Sequence, residues 1–309
     1  MAQERIFPEN TCCIINPNAA NKKWKRRRFY RKYFKRIFPV HTIDNSEDKN
    51  QTIHTAAKLC ADYDIIVAAG GDGTVADVIQ GIKNSGHEKK MTLGIIPMGS
   101  GNAFCKSFGI SKNLKRSVRL IARGKSREID LVDIEGKAAA FGSIGATAQI
   151  VMEKLRRKIP GFFGHLFASA NVLKLSRREM DIELFDGIDR SGEHFEYKRF
   201  TLKVFDCVIG KTKHFGYGWR VAPDAKIDDG YIDITLFQNT GFTYLLLFPA
   251  IYVGLYQKTQ KHFKAKKVII RGDKLPLQYH GEILGIKDKI EMKIIPKALR
   301  VISPDKMPW

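Results

Sequence analysis

The order of hydrophobic and polar residues changes character once along the chain, near residue 130. Before that point, apolar runs such as 11–16 and 63–67 have the continuous hydrophobicity of buried strands, and apolar residues between them recur at helical spacing. This alternation predicts a mostly parallel sheet that is covered on both faces. We therefore expect an α/β domain over residues 1–130, with helices that include 21–38 and 51–61.

From residue 131 onward, most segments have the pattern of β-strands. We expect them to form a second, largely antiparallel domain over residues 131–290. Residues 291–309 are expected to form a C-terminal strand and a tail that can return to the first domain. Two helical insertions, near 163–177 and 242–256, interrupt the strands.

The two insertions contain the most apolar sequence of the second half. These stretches are IPGFFGHLFASANVL at 159–173 and YLLLFPAIYVGLY at 244–256. The segment 242–256 is too short to span a bilayer, and Pro249 lies in its middle. Both stretches are apolar enough to hold acyl chains, but we expect most of their residues to be buried in the core.

Two glycine-rich turns follow strand-like runs of the first domain. GGDGT occupies 70–74 and GSGN occupies 99–102, and a helical pattern follows each turn. Turns between strand and helix point backbone N–H groups at one spot, and glycine lets an anion such as phosphate come close, although any α/β protein can use one such turn. Two of them at neighbouring strand ends predict a ligand crevice, to which Asn16 and Lys22 can contribute.

The charge of the chain favours anionic partners. Lys and Arg number 53 against 32 acidic residues, which gives a formal charge of +21, so nucleic acid, acidic membranes and polyphosphates all qualify. Ten of these basic residues lie between 22 and 36, with aromatic residues among them. A solvated helix face, an anionic membrane surface and nucleic acid all fit this run. Nucleic acid fits least and is not expected, because no nucleic-acid-binding signature accompanies the run.

The cysteines and the N-terminal sequence favour an intracellular location. Five cysteines are scattered without a CxxC pair, which favours reduced thiols over disulfides or zinc ligands. The N-terminal residues lack the apolar stretch and cleavage pattern of a secretion signal. We expect a cytoplasmic protein that associates peripherally with the inner membrane face, and the oligomeric state, including a homo-oligomer, is left open.

Several motifs together resemble one family. In chain order they are IINP, GGDGT, IPMGSGNAF, REIDL, AKIDDGYIDITLF and HGE. They resemble the diacylglycerol kinase and sphingosine kinase catalytic family, whose distant relatives are the NAD kinases. The resemblance covers nearly the whole chain. It implies a Rossmann-like α/β nucleotide-binding domain followed by a β-sandwich-like domain, with the active site between them.

The resemblance also implies a reaction, namely ATP-dependent and magnesium-dependent phosphorylation of a lipid hydroxyl. Within it, Asp72 is assigned to metal-water coordination or to the general base. The other residues of the turns would bind the nucleotide and its phosphates: Asn16, Lys22, Gly70, Gly71, Gly73, Thr74, Gly99, Ser100, Gly101 and Asn102.

Three further acids match metal positions of the family. Asp130 matches an acid of a metal-linked network. Asp228 or Asp229 matches a structural magnesium site that backbone carbonyls of residues 231–233 would complete. Without the resemblance, residues 228–230 are an ordinary Asp-Gly turn before a strand.

The sequence departs from the family at residues that bear on catalysis. Bacterial diacylglycerol kinases usually have Asp-Gly-Glu where this chain has His280, Gly281 and Glu282. A neutral imidazole can accept a proton, so His280 and Glu282 remain catalytic candidates. The sphingosine and NAD kinase branches assign the base to the acid of the GGDG turn, which favours Asp72. Ala103 also removes an acid that the diacylglycerol kinases have, which leaves room for weakened catalysis.

The leading hypothesis is therefore a lipid kinase that acts on a diacylglycerol-like or sphingoid-like acceptor. One alternative is an NAD kinase-like enzyme, although the NE motif that such enzymes use is missing. Another is a weakly active or non-catalytic nucleotide-binding relative, which the residues at 103 and 280 suggest.

Overall fold

The structure, a computed structural model, describes residues 10–16, 37, 39–42, 50–99, 101–157, 170–215 and 219–305. The chain divides into two compact units. The first comprises Met1–Ile129 and Lys297–Trp309, and the second comprises Asp130–Pro296. The first is built on parallel strand pairs and the second on antiparallel ones.

The described strands of the first unit pair in parallel. They are β1 (Thr11–Ile15), β2 (Val40–Thr42), β3 (Ile65–Gly70) and β4 (Thr92–Pro97), in the order β2-β1-β3-β4. Near the C-terminus, Arg300 and Val301 pair in parallel with β4. Because these strands run in the same direction, the carboxyl ends of β1, β3 and β4 lie at one edge of the sheet.

Helices follow the strands of the first unit. They are α1 (Gln51–Leu59), α2 (Asp72–Ser85), α3 (Ala103–Ser107) and α4 (Leu114–Arg123). α2 buries an apolar face that includes Val75, Val78, Ile79 and Ile82, as helical spacing requires. It ends at Gly86, whose φ of 72° is the left-handed conformation that suits glycine. The basic helix predicted at 21–38 lies outside the described residues, except for Ile37, which packs against the core.

The second unit is β-rich. β5 (Ser126–Ile134) enters it at Asp130. The other strands are β6 (Lys137–Ala139), β7 (Phe141–Gly145), β8 (Arg178–Asp189), β9 (His194–Val204), β10 (Asp206–Gly210), β11 (Ile232–Phe237), β12 (Lys261–Tyr279) and β13 (Glu282–Ile302). β7, β10, β11 and β12 pair antiparallel in a closed ring, and one hydrophobic cluster fills the unit.

Short helices complete the second unit. They are α5 (Ala146–Arg157), α6 (Gly241–Leu246) and α7 (Phe248–Tyr252), with 3-10 turns at Ala170–Lys174 and Tyr256–Thr259. Within the described part of the chain, no helix has the length and hydrophobicity needed to cross a bilayer. The five cysteines are buried and form no disulfide.

The expectation that most residues of 244–256 are buried is wrong. Tyr244 and Ile251 are buried, whereas Leu246, Phe248 and Leu255 are among the exposed hydrophobic side chains. Each helix is so short that only one of its side chains is buried, Tyr244 in α6 and Ile251 in α7. The stretch 159–173 is described only from residue 170 onward.

Candidate active site

The two glycine-rich turns of the first unit touch each other through their backbones. Gly71 is the N-cap of α2, directly after β3, and the Met98 N–H donates to the Gly70 carbonyl at 2.8 Å. A Cβ atom on Gly99 would lie 2.5 Å from the Cα atom of Gly71, which is closer than real Cβ atoms come to a backbone. The contact therefore requires glycine at residue 99.

Asn102 holds the second turn closed. Its Oδ1 accepts the Gly99 N–H at 3.0 Å, and its Nδ2 donates to the Gly99 carbonyl at 2.7 Å. Its φ of 52° is left-handed, a conformation that asparagine tolerates better than most residues. Asn102 thus shapes the turn, with Gly101 beside it, while Ser100 lies outside the described residues.

Asp72 connects the two turns. It is the first residue of α2, and its Oδ1 accepts the Phe104 N–H at 3.3 Å, at the start of α3. Burial raises the pKa of Asp72, and hydrogen bonds from the backbone at Phe104, Ala103 and Asn102 offset part of this rise. The carboxylate is consequently a stronger base than an exposed aspartate, and its position is fixed by the second turn.

The end of β1 joins the same group of residues. Asn16 Nδ2 donates to Thr74 Oγ1 at 3.3 Å, and the Asn16 N–H donates to the Ala69 carbonyl. Thr74 packs so closely over Gly70 that a Cβ there would lie 2.4 Å from the Thr74 Cβ. The structure thus brings together the predicted residues of the first unit apart from Lys22, which, like Ser100, lies outside the described residues.

Two of the three predicted metal-binding acids of the second unit contact a lysine. The Lys211 Nζ lies 3.3 Å from Asp130 Oδ2 and 2.5 Å from Asp229 Oδ1. Asp228 is exposed to solvent. Among the described residues, no cluster of three or more acidic, histidine or cysteine side chains could hold a metal ion.

A second lysine, Lys264, supports Asp229. It donates to Asp229 Oδ2 and lies 3.5 Å from Asp233 Oδ1. Burial alone would raise the pKa of Asp229, but hydrogen bonds from Lys211 and Lys264 outweigh it and lower that pKa. Sequence reasoning missed both lysines, although Lys264 faces Asp233 across the β11–β12 pair and such cross-strand charge pairs are a known signal.

The HGE motif is the hairpin that joins β12 to β13. His280 and Gly281 have φ values of 47° and 84°, the two positive values of a type I′ turn. The His280 Nε2 accepts the Ala140 N–H at 2.7 Å, and burial lowers the pKa of this histidine to about 3. The imidazole is therefore neutral, with its Nε2 lone pair engaged by the backbone. Glu282 is exposed, and its catalytic role stays a prediction.

An open groove of about 800 Å³ in the second unit is lined by charged side chains that already pair with one another. Arg199 binds Asp181 through two hydrogen bonds. The Arg271 Nη1 lies 4.0 Å from Asp181 Oδ2 and also pairs with Glu183, outside the groove lining. None of the predicted site residues lines this groove, so we assign it no part in the reaction.

Comparison with known families covers most of the chain. Residues 10–134 match the diacylglycerol kinase catalytic domain, and residues 170–303 match the YegS C-terminal NAD kinase beta sandwich-like domain. The chain therefore contains a diacylglycerol kinase catalytic domain. Its two-domain architecture is that of a kinase catalytic domain followed by a β-sandwich-like domain, and diacylglycerol kinases are phosphotransferases.

Curated relatives agree with this domain assignment, and a solved structure shares the fold. A diacylglycerol kinase of Staphylococcus carnosus is 26% identical over 88% of this chain and 88% of its own length. One from Mycobacterium tuberculosis is 29% identical over 81% of this chain and 80% of its own. A crystal structure of a diacylglycerol kinase from Bacillus anthracis shares the fold, with a TM-score of 0.72 at 19% identity, and covers 96% of this chain and 98% of its own.

Proposed function

We propose that this protein transfers the γ-phosphoryl group of ATP to a hydroxyl of a diacylglycerol-like or sphingoid-like lipid. The observation that carries the proposal is the contact of two glycine turns around one partly buried carboxylate, Asp72. The diacylglycerol kinase catalytic domain supports the kinase reaction, and the names of the curated relatives support a lipid acceptor.

ATP is proposed to bind at the glycine turns of a Rossmann-like first domain. The N-terminus of the 14-residue helix α2 offers backbone N–H groups and its positive dipole end at Gly71–Thr74. Because Gly71 and Gly99 carry no side chains, phosphate oxygens can reach this backbone. The donor set also fits Mg²⁺, since Asp72 offers a carboxylate and Thr74 a hydroxyl. The bound ion would supply neutralisation of the charge on the phosphoryl oxygens.

Asp72 is proposed as the general base in preference to His280. The pKa of Asp72 is raised by burial, which makes this carboxylate a better proton acceptor near neutral pH. His280, by contrast, would have to give up the Ala140 N–H before it could accept a substrate proton, and its pKa is about 3.

The lipid substrate requires access to a membrane, and helices α6 and α7 provide a surface for it. We define the apolar helix surface as the exposed large hydrophobic side chains of α6, of α7 and of the residues that directly follow α7. They are Phe242, Leu245, Leu246, Phe248, Tyr252, Val253 and Leu255. Phe242 and Leu246 are each 67% exposed. Contiguous exposed apolar residues of this kind mark an interaction site rather than an ordinary surface.

Charge indicates an anionic bilayer as the partner of the apolar helix surface. No acidic residue occurs between Asp233 and Asp273 in the sequence. Arg220 adjoins the surface, because its N–H donates to the Tyr252 carbonyl. The Arg190 guanidinium donates to the Gln260 carbonyl, in the segment that follows the surface. Basic groups beside an apolar patch are the combination that binds anionic lipid, with about 1 kcal/mol from each basic residue near the surface.

The proposed activity is tested by a kinase assay on a total lipid extract. The purified protein, labelled ATP and magnesium are incubated with the extract, and the phosphorylated product is identified by mass spectrometry. Asp72→Asn is expected to lower kcat by about 10²–10⁴-fold, the usual contribution of a general base. His280→Gln keeps an acceptor for the Ala140 N–H and is expected to retain most of the activity. Asp62→Asn, which changes an exposed acid just before β3, is the matched control.

Three outcomes would contradict parts of the proposal. Label transferred to NAD and to no lipid would favour an NAD kinase-like enzyme. Binding of ATP without transfer to any acceptor would favour a non-catalytic relative. A loss of activity in His280→Gln as large as in Asp72→Asn, with the thermal stability of both intact, would move the base to the histidine.

A further inference from the structure

A buried ammonium group lies where the second unit gathers its acidic and carbonyl oxygens. Lys211 follows β10 directly, and its side chain is 1% exposed. Its Nζ donates to Asp229 Oδ1 at 2.5 Å and to the Tyr231 carbonyl at 2.6 Å, and it lies 3.3 Å from Asp130 Oδ2. Two carboxylates and a backbone carbonyl, the usual ligands of a hard cation, therefore surround one lysine.

The sequence resemblance assigned the oxygens of Asp229 and Tyr231 to a structural magnesium ion and Asp130 to a metal-linked network. A magnesium ion needs near-octahedral oxygen ligands at about 2.1 Å, and the ammonium of Lys211 stands among the same oxygens with a like charge. Asp229 also accepts a hydrogen bond from Lys264 on its other oxygen. Asp228, the alternative ligand, is exposed. The residues present therefore do not fit a magnesium ion.

The lysine joins two separate segments of the second unit. The carboxylate of Asp130, at the entry of β5 into this unit, also accepts the Gly230 N–H at 2.7 Å, and the Asp130 N–H donates to the Ile227 carbonyl. The turn at 227–231 is thus held to β5 on one side and to the end of β10 on the other. The Lys211 ammonium itself contacts Asp130 of β5 and the Tyr231 carbonyl of the turn, which lies 20 residues further along the chain.

We infer that Lys211 serves as a built-in cation that replaces the divalent ion, so that the second unit of this protein is stable without magnesium. Because the readout is stability rather than phosphoryl transfer, this inference and the proposed kinase activity can fail independently. The three ligand groups remain when the lysine is removed. A variant without the ammonium should therefore gain a site that a divalent cation can fill.

Thermal unfolding of the full-length protein in EDTA and in excess magnesium or calcium tests the inference. The wild-type Tm is expected to be the same in all three conditions. Lys211→Met keeps most of the length of the side chain but leaves the buried Asp130 carboxylate without its cation and Asp229 with Lys264 alone. Its Tm in EDTA is expected to fall by about 10 °C. Magnesium or calcium should restore part of this loss. Lys226→Met, which removes an exposed lysine just before the same turn, should change neither the Tm nor its response to cations.

Three results would contradict the inference, and they can be distinguished from one another. A wild-type Tm that rises with magnesium, and no longer rises in Asp229→Asn, would place the metal ion here and overturn the inference even if Lys211→Met fails to fold. A Lys211→Met protein as stable as wild type in EDTA would show that the ammonium is dispensable. A destabilised variant that gains nothing from either cation would reduce Lys211 to an ordinary buried ion pair.

Discussion

Two ionisable side chains buried in the second unit make the stability of the protein depend on pH in opposite directions. Asp206 is fully buried, with its carboxylate bound by the Thr147 N–H at 3.0 Å and by the Thr147 hydroxyl, and burial raises its pKa to about 7. Between about pH 4 and 7 the folded protein therefore holds a proton that the unfolded chain has lost, and Asp206 lowers stability as pH rises. His280, with its pKa lowered to about 3, does the reverse between about pH 3 and 6.5.

Asp206→Asn isolates one of these two effects. The amide oxygen can still accept the Thr147 N–H, but the side chain no longer ionises. The difference in the free energy of unfolding, variant minus wild type, should therefore increase as pH rises from 4 to 7, by up to about 1.4 kcal/mol per pH unit. Above pH 7 this difference should stay constant. Urea unfolding at several pH values measures this difference. Asp224→Asn, at an exposed acid of the same unit, should parallel wild type, and parallel curves for Asp206→Asn as well would contradict the assignment.

Single residues of the site were predictable to different degrees. Asp72 is the acid of a short motif between strand and helix, so its position followed from its neighbours in sequence. Lys211 meets Asp130 and Asp229 only in the folded chain, 81 and 18 residues away. Nothing local in the sequence marks such a contact, and the resemblance suggested a metal ion there instead.

At the scale of elements, the glycine turns were the most predictable part of the site. A buried strand, a glycine turn and an amphipathic helix are consecutive in sequence, and parallel pairing of β3 with β4 places the two turns side by side. How closely the backbones of the two turns approach each other was not predictable. It depends on the backbone of Gly71 and Gly99 approaching to a distance that excludes a methyl group.

Gly99→Ala tests the importance of that contact. The added Cβ would lie 2.5 Å from the Gly71 Cα, so the two turns must separate, at a cost of about 1–3 kcal/mol in stability. We expect the affinity for ATP, measured by calorimetry, to fall by at least about tenfold. Gly136→Ala is the control, since its Cβ meets nothing within 4 Å and its positive φ costs about 1–2 kcal/mol. An unchanged ATP affinity in Gly99→Ala would argue against phosphate binding at this contact.

At the scale of the whole molecule, the division into an α/β part and a β-rich part was predictable, because the hydrophobic pattern changes period near residue 130. The exposure of the segment 242–256 was not. Hydrophobicity along a sequence predicts burial, but it cannot distinguish burial in the core from burial in a membrane. Only the fold shows that Tyr244 and Ile251 reach the core while Leu246 and its neighbours face outward.

The exposed segment and the net charge of +21 together predict binding to anionic vesicles. The protein should sediment with vesicles of phosphatidylglycerol and phosphatidylcholine, and less with phosphatidylcholine alone or at high salt.

Because burial of a leucine contributes about 1.5–3 kcal/mol, Leu246→Asp should weaken vesicle binding by about tenfold or more. Ile286→Asp changes a side chain that is also more than half exposed but is not part of the apolar helix surface, and this variant should bind like wild type. If Leu246→Asp instead abolishes self-association in sedimentation equilibrium and leaves vesicle binding intact, the surface is an interface between copies of this chain. Since an aspartate at this exposed place costs the fold little, a loss of vesicle binding by Leu246→Asp with unchanged Tm would place the bilayer contact on α6 and α7.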